Sequence, residues 1–362
     1  MKFIDEYRDP AVVTALLKRI DAAAEKISQT ITIMEICGSH TYAIGRFGIR
    51  KLLPENIRLI SGPGCPVCVT SSRDVDIAMH LASVEHVIFA TFGDMLKVPG
   101  SGGESLQKKR AEGADVRVVS SADECIGLAL AHPRKEVIMM GIGFETTAPT
   151  VAATMVRCKK NEIKNFSIFS VHKIVPPAIH ALLADSLLNI DGFLCPGHVS
   201  IMIGADAYQM IPDANRAAVI TGFEPVDILE GVWMILEQIV SGKKEVAIQY
   251  RRGLRPEGNI QAMNLLKSVF ETADVEWRGL GVIPASGLVP RGDFEAFDAL
   301  KRFSLPEIQS ADAAGCACGE ILRGVKQPPD CPLYKKVCTP TNPIGPCMVS
   351  SEGTCSAYYK YY

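Results

Sequence analysis

Cys65-Pro-Val-Cys68 is the most informative short motif in this sequence. Two thiols three positions apart can close a disulfide or share a metal ion. Gly62, Pro63, Gly64 and Pro66 frame them and favour a fixed backbone. A helix starting directly afterwards, near Ser71, would lower the thiol pKa through its dipole. Cys37-Gly-Ser-His40-Thr41 is a second candidate, because a thiolate near an imidazole can be a nucleophile or a metal ligand. His198 in Pro-Gly-His stands in a similar setting. Gly141-Ile-Gly-Phe-Glu145-Thr146-Thr147-Ala-Pro149 joins a strand to a helix, and Thr146 or Thr147 can cap that helix. Free backbone N–H groups there could hold an anion. It is only half a dinucleotide fingerprint, with Thr146 in place of the third glycine. His80, His86, His132, His172 and His180 sit in ordinary contexts, and Cys125, Cys158 and Cys195 read as packing residues.

The chain has 12 cysteines in 362 residues, and their distribution is uneven. Six fall between Cys37 and Cys195, and six between Cys316 and Cys355. A chain this long buries roughly three quarters of its surface and needs no disulfides to be stable. The late group is Cys316, Cys318, Cys331, Cys338, Cys347 and Cys355, in a segment broken by six prolines from Pro328 to Pro346. Such a segment has little core of its own, and a metal centre would hold it in place. No histidine follows His198, so a local site is thiolate-only, either an iron–sulfur cluster or zinc. The long spacings are unlike two paired zinc knuckles and favour iron–sulfur. Six candidates compete for four places.

Elements that could position these residues are legible. Strand candidates are Ile31–Ile36, Ile57–Ile60, His86–Ala90, Val116–Val119, Val137–Met140, Phe166–Val171, Gly192–Leu194 and Ala217–Ile220. Amphipathic stretches lie between them. This alternation predicts an α/β protein with helices covering parallel sheets. Eight strands divide into two small Rossmann-like domains, residues 31–135 and 136–240, after an N-terminal helical segment, residues 1–30. Residues 241–362 form a mainly helical and irregular iron–sulfur domain. The motifs above all follow strands, where open parallel sheets bind ligands. The 38 basic and 40 acidic residues are well mixed, giving a net charge of −2 and no basic stripe for nucleic acid. No apolar run is long enough for a membrane span, and the charged N-terminus lacks a signal-peptide core. The expected location is the cytoplasm.

CGSHT, GPGCPVC, TFGDM, GFETT, PGHVS, EWRGLG and the terminal CxCGE…CMVSSEGxC text together resemble the [NiFe]-hydrogenase maturation factor HypD family. The resemblance runs from FIDEYRDP to the last tyrosines. It implies an iron-binding scaffold that works with a small HypC-type partner. With HypE as cyanide donor and HypF upstream, it would assemble iron carrying two cyanides and one carbon monoxide for the hydrogenase large subunit. It implies that Cys37 binds this iron, with His40 and Thr41 beside it. Cys65 and Cys68 would be a redox dithiol, and Glu145, Thr146, Thr147 and His198 would line the cleft. The family's C-x12-C-x6-C-x16-C spacing selects Cys318, Cys331, Cys338 and Cys355 as [4Fe–4S] ligands, leaving Cys316 and Cys347 outside. A different class also fits the same thiols, an iron–sulfur thiol/disulfide oxidoreductase acting on a protein. A zinc-stapled binding module is a third reading.

Overall fold

Strands buried on both faces are rich in Val, Ile, Leu, Met and Phe, and most strands of this chain are of that kind. The computed structural model describes residues 5–185 and 187–362. Residues 1–4 of the expected N-terminal segment lie outside the described residues. The strands are β1 (Ile31–Glu35), β2 (Ile57–Ser61), β3 (Val87–Thr91), β4 (Val116–Val118), β5 (Glu136–Gly141), β6 (Phe166–Ser170), β7 (Gly192–Pro196) and β8 (Ala217–Thr221). All eight match the sequence expectation to within a residue or two. A ninth, β9 (Val246–Ile248), was not anticipated.

The strands form two parallel sheets, in the orders β2-β1-β7-β8-β9 and β4-β3-β5-β6. The fold is α/β, as expected. The division into 31–135 and 136–240 does not follow the sheets. β1 pairs with β7 (Ile33↔Gly192), while β3 pairs with β5 (Val87↔Glu136). The chain lays down two strands of the first sheet, builds the whole second sheet, then returns. β1 carries the buried Ile31, Ile33 and Met34 and is satisfied only with a neighbour on each side. The expected boundary near residue 241 also shifts, because β9 adds to the edge of the first sheet through Ala218↔Val246.

The N-terminal helix α1 (Pro10–Ala24) buries Leu16, Ile20, Ala23 and Ala24 and packs on helix Pro225–Ser241. Asp9 caps it by accepting from the Ala11 N–H at 2.8 Å. The segment expected to be mainly helical after residue 258 instead holds an antiparallel hairpin, β10 (Phe270–Trp277) and β11 (Gly281–Pro290). The hairpin is a strap. Trp277 bridges to Thr70, just after the CPVC motif, and Gly287 bridges to Lys173, just after β6. The last sixty residues are irregular apart from short helices, including Cys318–Leu322 and Thr354–Tyr361. Their cysteines belong to the same buried cluster as residues from both sheets. Among the described residues, no helix is long and apolar enough to cross a membrane.

Candidate metal and thiol centre

β1 leads through Ile36 to Cys37, the N-cap of helix α2 (Gly38–Arg46), and β2 leads into the loop before α3 (Pro66–Val69). These two loops are locked together. The Gly38 N–H donates to the Gly64 carbonyl at 2.8 Å. A Cβ on Gly64 would stand 2.2 Å from the Cys37 nitrogen, so only glycine allows this approach. Cys37 and the CPVC pair are thereby held side by side at the carboxyl edge of the first sheet.

Cys37 keeps part of its surface accessible. Desolvation and the nearby Glu352 carboxylate push its thiol up to about 12. Glu352 comes from the tail, accepts from the Ser39 hydroxyl at 2.6 Å and lies against Gly38. His40 is buried, with Nε2 2.9 Å from the Gly222 carbonyl and 3.1 Å from the Thr221 hydroxyl. A carbonyl only accepts, so Nε2 carries the proton and Nδ1 is left bare, without a partner. Burial lowers His40 to about 4. The ring stacks on Phe223 at 4.7 Å, and His198 packs on the same phenyl at 4.1 Å. Thr41 donates to Glu35 at 2.5 Å. Glu35 is fully buried at the end of β1, and burial raises it to about 7. Sequence reasoning missed Glu35, Phe223 and Glu352. A single acidic residue closing an apolar strand was the available signal for the first.

Glu145, Thr146 and Thr147 stand on the opposite lobe, in the loop after β5. Glu145 is buried and accepts from the Val175 N–H at 2.8 Å through one oxygen, while the other has no partner. Thr146 is exposed. Thr147 occupies the N-cap position of helix Ala148–Lys160 without a side-chain cap bond. The buried Tyr208 hydroxyl accepts from the Ser200 hydroxyl at 3.0 Å. Burial raises Glu145 to about 7 from an ordinary 4.5. The folded protein therefore holds this proton where the unfolded chain has lost it. The resulting stability is full below pH 4.5 and disappears as pH rises through 7. Glu145→Gln should keep about 1–3 kcal/mol that the parent loses between pH 5 and pH 8. Urea midpoints at the two pH values measure this, and an equal loss in both chains would refute it.

The other site cysteines include two close pairs. The Cys65 and Cys68 sulfurs are 2.7 Å apart. The segment Pro346–Met348, which carries Cys347, packs on α3, which carries Cys68. The Cys347 and Cys318 sulfurs are 3.0 Å apart. Burial raises the Cys68 pKa, opposing the expected helix-dipole effect. Helix α4 (Ser72–Ala82) does follow at once, but its N-cap Ser71 bonds to Asp74 N and the thiols lie in apolar surroundings. Cys316 and Cys355 lie near Cys338, and Cys331 is next to Gly315. Among the described residues, no three His, Cys, Asp or Glu side chains meet around one point as a single ion requires. Cys125, Cys158 and Cys195 are fully buried in the packing, as expected.

The hydrogenase formation hypA family, HypD, matches residues 11–362. This chain belongs to that family. The hydrogenase maturation factor HypD of Cupriavidus necator is 44% identical over 369 residues, covering 100% of this chain and 97% of the relative. The Azotobacter vinelandii factor of the same name is 46% identical over 368 residues, with 100% and 97% covered. That of Escherichia coli is 44% identical over 367 residues, with 100% and 98% covered. Hydrogenase maturation is thus the function that HypD membership fixes.

Proposed function

We propose that the protein is a cytoplasmic scaffold on which iron acquires two cyanides and one carbon monoxide before passing to a hydrogenase large subunit. The iron group is cargo, held by Cys37 together with a thiolate from a small HypC-type partner. HypE would hand over cyanide made available by HypF. Soft thiolates suit low-spin iron of this kind. The observation that carries the reading is two close sulfur pairs, Cys65–Cys68 beside Cys37 and Cys347–Cys318 in a segment packed on α3. Oxidising the Cys65–Cys68 dithiol to a disulfide releases two electrons and two protons close to the cargo. His40 Nδ1 is a bare acceptor in the same loop.

A [4Fe–4S] cluster fits the tail. Thiolate-only donors around a volume, rather than a point, suit a cluster better than a lone ion. Its ligands would be Cys318, Cys331, Cys338 and Cys355, the set implied by the family's spacing. When bound, the cluster would supply one-electron storage.

The test is anaerobic purification with the small partner, followed by infrared spectroscopy and iron and sulfide analysis. Cyanide and carbon monoxide bands are expected. Cys65→Ser should keep iron and sulfide but lose those bands. Thiol reduction of a protein substrate without bands would favour the oxidoreductase, and zinc without sulfide would remove the cluster.

A further inference from the structure

Strand β9, the one the sequence hides, leads directly into Gln249, whose side chain is buried. What this amide meets fixes its orientation. Oε1 accepts from the Gly222 N–H at 3.1 Å, and Nε2 donates to Asp227 Oδ1 and to Glu230 Oε2, each at 2.9 Å. A backbone N–H only donates and a carboxylate only accepts, so the amide cannot flip. Asp227 is itself fully buried, in the first turn of helix Pro225–Ser241. Arg252 pairs with both of its oxygens, and the Arg252 Cζ lies 3.6 Å from the centre of the Tyr7 ring. A Cβ on Gly222 would stand 2.3 Å from Asp227 Oδ2, so only glycine lets this peptide come so close. The Gly222 peptide is thus clamped through its N–H, with its carbonyl 2.9 Å from His40 Nε2. Nε2 has a second neighbour, the Thr221 hydroxyl at 3.1 Å. The carbonyl requires a hydrogen on Nε2. The hydroxyl does not: it can accept that hydrogen, or donate to a bare Nε2 while the proton sits on Nδ1.

We propose that Gln249 is a positioning residue that sets the tautomer of His40: by clamping the Gly222 peptide it keeps the hydrogen on Nε2 and leaves Nδ1 bare. This deepens the reading of His40 as the bare acceptor in the cargo loop and rests on it. The Asp227–Arg252 pair holds Gln249 in turn. Without Gln249 the Gly222 carbonyl is free to turn away, and the Thr221 hydroxyl becomes the donor to Nε2. One proton then passes from Nε2 to Nδ1, with no change of charge, and the loop loses its acceptor.

The full chain is isotope-labelled at its histidine ring nitrogens and read by NMR at neutral pH, where a bare nitrogen and a hydrogen-bearing one resonate far apart. His40→Gln identifies the His40 signals by their loss. The parent should carry hydrogen on Nε2. Gln249→Met keeps the side-chain length but cannot clamp Gly222, and the two nitrogen shifts should exchange. Thr221→Val removes the competing donor and should leave the parent pattern. Adding Thr221→Val to Gln249→Met should restore that pattern, which a general loosening of the fold would not do. Hydrogen on Nδ1 in the parent, on Nε2 in Gln249→Met, or on Nδ1 in the double variant overturns the proposal. If Gln249→Met does not fold, Thr221→Val decides: hydrogen on Nδ1 there overturns it, and hydrogen on Nε2 supports the clamped carbonyl as the determinant. Absence of infrared bands in the parent chain would defeat the scaffold reading and leave the tautomer standing.

Discussion

Cys347→Ala is expected to abolish hydrogenase maturation while leaving iron and sulfide content unchanged. Cys347 is buried, its sulfur lies 3.0 Å from that of Cys318, and its segment packs on α3. It is the link between the CPVC pair and the tail. Thiol–disulfide exchange requires one sulfur to attack another directly, so a missing sulfur in a packed interior is not bypassed. Residues that act as one unit are non-additive. A Cys65→Ala, Cys347→Ala double variant should therefore be no worse than either single change. Cys318→Ala should lose iron and sulfide, and Cys316→Ala should retain them. The reverse result for Cys316 and Cys318 would overturn the ligand set implied by spacing. The stability cost of each alanine is on the order of 1 kcal/mol, small enough for the chains to be compared folded.

Gly64→Ala should be the most damaging single methyl in the site. The added carbon would meet the Cys37 nitrogen at 2.2 Å, the Cys37 Cα at 2.4 Å and the Ile36 carbonyl carbon at 2.5 Å. All three are backbone atoms, which cannot swing aside as a side chain can. Overpacking of this kind costs about 3 kcal/mol. Relief would require the CPVC loop to part from α2, taking Cys65 away from Cys37. The urea midpoint should fall with an unchanged m-value, and maturation should fall with it. Gly127→Ala is the matched control. It lies in helix Glu124–Ala131 with open space around it, and alanine there should stabilise by about 0.5–1 kcal/mol. If Gly64→Ala were as stable as the parent, the locked-loop account would be wrong.

The strands were legible because burial on both faces leaves a local mark, a run of β-branched and apolar residues. Their pairing left none. Nothing near Ile33 announces that its neighbour is Gly192 rather than a residue of the next strand. The hairpin was hidden for a different reason. Residues 270–277 read FETADVEW, and their alternating exposure depends on a partner strand that local helix-forming residues do not reveal. Cys37, Cys65 and Cys68 stood out because glycines and prolines flank them. Only the family's spacing separates Cys318 from Cys316, which lies two residues before it.

The interleaving of the sheets also dictates a timetable. During synthesis β1 and β2 emerge early, but β7 follows only after the whole second sheet. At ordinary elongation rates this wait is on the order of ten seconds. Throughout it, one flank of β1 is an unpaired apolar edge, a template for misassociation. The wait for the end of the chain is longer still. Helix Thr354–Tyr361 packs on α2, with Tyr361 lying over Gly45, and Glu352 just before it lies against Gly38. Until the ribosome has delivered that tail, the face of α2 beneath Tyr361 and Glu352 lies bare. Cys37 is among the first cysteines made and among the last to acquire its surroundings.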